Sequence, residues 1–278
     1  MTKVQERVID SHVHIWDPTA LEYSWLEGEL DRPYLPAEYR SGSPTTTGVI
    51  FVEAGPASKT GEVTWAESLD WPELMGVVAH APLERGSGVV TEIEALRGAG
   101  PTVGIRRLLQ DEPLEFFEQP GLLEGLRALA RTGLPFDACI RHHQLAALTT
   151  LLAKVPELPV VLDHLGKPPV ATGDDGTWER EIRQLAAMPQ VSVKLSGMPP
   201  ELREDQDVTS ACLPWLRIAL DAFGADRAMV GSDWPISAML PRQLAPGEWL
   251  AMVLDELSAS PGERELLAWR TASRFYDV

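Results

Sequence analysis

The sequence predicts an α/β fold, a single (β/α)8 TIM barrel spanning residues 1–278. Three observations predict it: short apolar runs alternate with longer amphipathic stretches, eight such runs occur, and no linker or low-complexity segment divides the chain. Strands alternating with helices imply parallel pairing and a sheet covered on both faces. A barrel of this kind takes about 250 residues as one domain. A doubly wound sheet is the rival, but it rarely needs eight such regular units.

The runs follow in order. They are "VIDSHVH" (8–14), "GVIFVEA" (48–54), "LMGVVAHA" (74–81), "TVGIRRL" (102–108), "PFDACIRH" (135–142), "PVVLDHLG" (159–166), "VSVKLSG" (191–197) and "RAMVGSDWP" (227–235). Among the helical candidates, 122–130 carries Leu122, Leu123, Leu126, Leu129 and Ala130 at helical spacing. The stretches 144–155, 178–188, 209–222 and 246–258 read the same way, and 262–275 closes the chain. The segment from Asp17 to Pro36 is long for a strand–helix loop, a size typical of lids.

Every run is apolar early and ends in an ionisable group: His14, Glu53, His80, Arg106, Arg141 with His142, His164, Lys194 and Asp233. An unpaired buried charge costs several kcal/mol, on the order of those measured for lost ion-pair partners. Such residues therefore belong at a polar mouth, and barrel active sites form where the strands end. In a strand, alternate side chains share a face, so His12 and His14 are expected to point the same way with Asp10 behind them.

Composition narrows the function. The formal net charge of −17 argues against nucleic acid as a partner, since phosphate binding needs clustered Lys and Arg. Only Cys139 and Cys212 occur, with no CxxC pair, which argues against a disulfide framework or a thiolate metal site. The opening "MTKVQERVID" lacks a signal-like apolar segment, and no run approaches the roughly 18 apolar residues of a membrane span. The expectation is a cytoplasmic protein without a membrane partner. Assembly into a homo-oligomer is compatible with the sequence.

Four motifs, "IDSHVHIWDP" (9–18), "LDHLGKP" (162–168), "VKLSGM" (193–198) and "GSDWP" (231–235), together resemble the amidohydrolase superfamily, with "LQDEP" (109–113) in support. The resemblance is to its sugar-acid lactonase branch, the L-fuconolactonases and L-rhamnonolactonases, related to 2-pyrone-4,6-dicarboxylate hydrolase. It implies a hydrolase opening a lactone, with Asp233 as general base toward water, His164 and Arg106 as catalytic groups, and His12 and His14 as the first-strand pair. Arg106 stands where metal-dependent relatives keep a lysine or glutamate bridging two metals. A guanidinium has no lone pair to give, which argues against a binuclear centre.

A single divalent ion such as zinc on His12, His14, Asp233 and Glu53 is one expectation, with a position open for water. Metal-free catalysis, with the histidines bonded to a substrate carbonyl, is the other. Substrate contacts are expected from His143, Arg141, Lys194, Trp16 and Trp25. Lys167, His80 and Trp234 are further candidates near the mouth. Arg106, Arg107, Arg141 and Lys194 also keep alive a hydrolase or decarboxylase of a carboxylated substrate, because guanidinium–carboxylate forks anchor acids. A non-catalytic binding barrel is the third reading, and the full set of polar strand ends speaks against it.

Overall fold

The computed structural model describes residues 6–239 and 244–278. Each apolar run forms a strand: β1 Ile9–Val13, β2 Gly48–Val52, β3 Leu74–His80, β4 Thr102–Leu108, β5 Phe136–Cys139, β6 Val160–Leu162, β7 Val191–Leu195 and β8 Ala228–Val230. All neighbours pair in parallel, in the order β1 to β8. The helices are α1 Pro36–Gly42, α2 Lys59–Ser68, α3 Val89–Ala99, α4 Pro120–Thr132, α5 Leu145–Leu152, α6 Thr177–Ala186, α7 Val208–Phe223, α8 Pro246–Leu257, α9 Pro261–Glu265 and α10 Thr271–Tyr276, with a π turn at Leu266–Arg270 before α10. The final amphipathic stretch therefore divides, and α1, α2 and α3 add to the helices expected from periodicity. No helix of the described residues is long and apolar enough to cross a membrane.

The main core lies between strands and helices, where buried faces such as Leu122, Leu126 and Leu129 of α4 pack on the sheet. A smaller cluster fills the barrel itself: Ile9, Ile50, Val52, Val78, Val161 and Met229, with Ala272 and Tyr276 of α10 closing the far end.

The seam between first and last strands is what builds the site. Ser11 Oγ donates to Val230 O at 2.7 Å, Asp233 N to His12 O at 2.8 Å, and His14 N to Trp234 O at 2.7 Å. The β1–β2 register shifts between Asp10 and Val13. That shift lets Ile9 join the interior cluster while His12 and His14, at the opposite parity, also turn inward. Asp10 accordingly faces away from the histidine rings. It accepts hydrogen bonds from Tyr39 of α1 and from the Ser232 and His12 amides.

Candidate active site

At the C-terminal ends of the strands, Asp233 Oδ1 stands among three imidazoles. His14 Nε2 lies 3.4 Å away, His12 Nε2 3.7 Å and His164 Nε2 3.8 Å. The other carboxylate oxygen, Oδ2, is held by Ser237 Oγ at 2.8 Å. All four side chains are buried. His164 and Asp233 have φ of 55° and 57°, the left-handed region, where a non-glycine backbone costs energy and which clusters at functional sites.

Neighbouring glycines make room for these rings. A Cβ on Gly197 would fall 2.1 Å from His164 Nδ1, and one on Gly231 would fall 2.9 Å from His12 Cβ. The Ser196–Gly197 pair of "VKLSGM" thus both seats His164 and bonds it, Ser196 Oγ lying 2.9 Å from Nδ1.

Electrostatics separate the carboxylate from the imidazoles. Burial would raise the Asp233 pKa, but the charge of His164 and contacts to His14 and His12 outweigh it and hold the group below the ordinary carboxylate range. Burial lowers His164 to about 4. Burial, then the neighbouring Lys194 ammonium, keep His12 well below the usual imidazole range.

With His12 fully buried behind them, His14, His164 and Asp233 open onto a cavity of about 610 Å³. Its walls include Trp16, Trp25, Lys59, His80, Arg106 and Lys167. Trp25, 39% exposed, is pinned by its Nε1 to Ala54 O at 2.7 Å and meets Trp16 edge to face at 5.3 Å. The long segment after β1 therefore delivers an aromatic wall to the mouth. Lys167 also reaches the cavity and donates to Gln110 Oε1 at 2.5 Å. Trp234 instead packs beside Tyr34 and Tyr39 behind it.

Several expected roles are corrected by position. Glu53 does not join the histidine–aspartate cluster: Arg106 Nε binds its Oε1 at 2.9 Å and Arg106 Nη2 its backbone oxygen at 2.6 Å. Arg106 lines the cavity with that ion pair already formed. Arg107 is likewise occupied, by Glu84 and Glu112. Lys194 is fully buried beneath the mouth, out of reach of a substrate, bonded to Asp137 and Asp163. Arg141 turns toward Asp111 at 3.4 Å, and exposed His143 sits on the short turn after β5; neither lines the cavity. His142 points to Lys167 O at 3.0 Å.

Sequence reasoning missed Asp163, Ser196, Ser237 and Asp137. Asp163 and Ser196 lie inside quoted motifs beside His164 and Lys194, which was the available signal.

The described residues can group ligand atoms for an ion. His12, His164 and Asp233 place theirs within 4.8 Å of one another. His14 Nδ1 lies 2.8 Å from Val52 O, which turns Nε2 toward the cluster. Buried Asp163 turns Oδ1 toward both Lys194 Nζ, 3.1 Å away, and His12 Nδ1, 3.3 Å away, while its Oδ2 has no hydrogen-bond partner among the described residues. Such an acceptor suits a histidine that ligates through Nε2, because it takes the proton on the other ring nitrogen.

Comparison with known proteins gives the same family. L-fucono-1,5-lactonase of Burkholderia ambifaria is 31% identical over 263 residues, covering 87% of this chain and 85% of that protein. L-fucono-1,5-lactonase of Burkholderia multivorans is 31% identical over 302 residues, covering 96% and 95%. A crystal structure of a Burkholderia multivorans amidohydrolase with bound zinc superposes with a TM-score of 0.85 at 28% identity, covering 98% and 99%. With the amidohydrolase profile matching residues 9–278, and its histidines and aspartate meeting at one barrel mouth, the chain belongs to the amidohydrolase family.

Proposed function

We propose that this chain hydrolyses a neutral, polyhydroxylated lactone, of the sugar-acid class named for its lactonase relatives, to the open hydroxy acid. The observation that carries the reading is Asp233 Oδ1 set among three imidazole Nε2 atoms on the floor of an aromatic-walled cavity. Asp233 takes a proton from water as the new C–O bond forms at the lactone carbonyl, and returns that proton to the ring oxygen as the C–O bond of the ring breaks. His164 stabilises charge on the carbonyl oxygen. The alkoxide of a lactone leaves more readily than an amine, so this apparatus suits an ester.

A single divalent ion fits the residues present. His12, His14, His164 and Asp233 would hold it, in place of the set that included Glu53. Such an ion supplies Lewis acidity and lowers the pKa of water toward about 7, which offsets the weak basicity of a depressed carboxylate. The arginines support a neutral substrate. Arg106 and Arg107 are both committed to glutamates, which leaves neither fork free to clamp a carboxylate without breaking a buried or half-buried pair. Trp25, partly exposed on the cavity wall and backed by buried Trp16, offers a face to the C–H side of a sugar ring.

The test is acid release followed with a pH indicator over a panel of sugar-acid lactones, muconolactones and pyrone carboxylates. Hydrolysis of sugar-acid lactones is the expected result. Acid release only from carboxylated substrates would overturn the neutral-lactone reading.

A further inference from the structure

Beneath the active site, three groups contend for one ring nitrogen. Lys194 Nζ lies 3.1 Å from His12 Nδ1, Asp163 Oδ1 lies 3.3 Å from the same atom, and the ammonium and carboxylate are 3.1 Å apart. Lys194 also reaches Asp137 Oδ2 at 2.5 Å. An ammonium has three protons to give. Asp137, Asp163 and His12 Nδ1 are three acceptors for them, all fully buried. Tyr276 of α10 donates to the same Asp137 oxygen at 2.7 Å and fixes the lower end of the network.

If His12 Nδ1 accepts from Lys194, its ring proton sits on Nε2. That atom is 3.1 Å from His14 Nε2, which is free to accept because His14 Nδ1–H donates to Val52 O. The result is one continuous chain: Lys194 to His12, His12 to His14, His14 to the β2 backbone. Every donor in it has an acceptor. An ion on His12 Nε2 needs the opposite arrangement, with the proton on Nδ1 and Asp163 accepting it. Lys194 then loses its third acceptor in a place no water reaches.

We infer that Lys194 is a positioning residue that holds the His12 proton on Nε2 and so lowers the affinity of the His12, His14, His164 and Asp233 site for a divalent ion. Asp163 favours the metal-bearing form, and the balance between the two sets occupancy. The inference rests on the ion site proposed above and not on the identity of the lactone, so lactone turnover by the wild type is measured separately.

Long-range 1H–15N spectra of the histidine rings read the tautomer directly in protein stripped of metal, and Zn2+ affinity is read by competition with a chromophoric chelator. In the wild type, His12 should show a protonated Nε2 and an unprotonated Nδ1. Lys194→Met should move that proton to Nδ1 and tighten Zn2+ binding by roughly 10–100-fold, the range in which outer-shell partners act. A protonated Nδ1 in the metal-free wild type would overturn the inference. So would tighter Zn2+ binding in Lys194→Met with the tautomer unmoved, because removal of a nearby positive charge accounts for that by itself. If Lys194→Met does not fold, the wild-type tautomer decides alone.

Discussion

His14 Nε2 and Asp233 Oδ1 lie 3.4 Å apart, although they come from opposite ends of the chain. The contact exists because β1 and β8 close the barrel through backbone hydrogen bonds at these very residues, Asp233 N to His12 O and His14 N to Trp234 O. Barrel closure and assembly of the candidate site are one event, and a sheet left open at this seam would not bring His14 and Asp233 together.

Asp233→Asn should leave the fold intact and lower kcat by about 10²-fold or more, since volume and the Ser237 contact are retained while the base is lost. Steady-state kinetics beside circular dichroism check it. Near-wild-type turnover in a folded variant would remove Asp233 from the chemistry.

If one ion is used, His12→Ala and His14→Ala should lose bound metal together with activity, and chelation should reproduce them. Elemental analysis paired with the assay decides this. Full activity in protein shown to be metal-stripped would instead establish metal-free catalysis.

The Arg106–Glu53 pair carries a stability prediction. Arg106→Met leaves the buried Glu53 carboxylate without its cation, and breaking such a pair costs on the order of 3–5 kcal/mol. Denaturant unfolding should show this loss, and an unchanged midpoint would mean the pair contributes little. Arg106→Lys keeps the charge but not the fork that spans Glu53 Oε1 and its backbone oxygen, so it should recover only part of the stability.

The pH profile follows from His164. Burial holds its pKa at about 4, below an ordinary imidazole, so the ring is neutral above that and gains a positive charge below it. Activity should therefore hold from neutrality to about pH 5 and decline as the pH falls through about 4, the acid limb reporting the protonation of this ring. A decline centred near pH 6.5, the unperturbed value, would contradict that assignment.

Trp25→Ala should raise KM roughly 2- to 10-fold for a sugar lactone with little loss of stability. The ring is partly exposed on the cavity wall, and aromatic contacts are worth about 0.5–1.5 kcal/mol. An unchanged KM would take this face out of substrate binding.

The sequence alone determined the order of the elements and most of the residues at the mouth. Alternating runs and amphipathic stretches are local properties, and the first-strand histidines, His164 and Asp233 each sit at or just past the end of a short apolar run. Tertiary structure decided which of the remaining polar residues face a substrate. β5 ends at Cys139, earlier than its apolar run suggests, so Arg141 and His143 fall beyond the strand, where alternation no longer sets direction. Lys194 does point inward, as the period of two requires, but it is in register with Met229 of the interior cluster and so lies a layer below the mouth. Periodicity gives the face of a side chain and not its height along the barrel axis. Glu53 met Arg106 rather than the histidines for a related reason: pairing between side chains on different strands depends on the stagger of those strands and on charge, and neither is written in any one stretch of sequence.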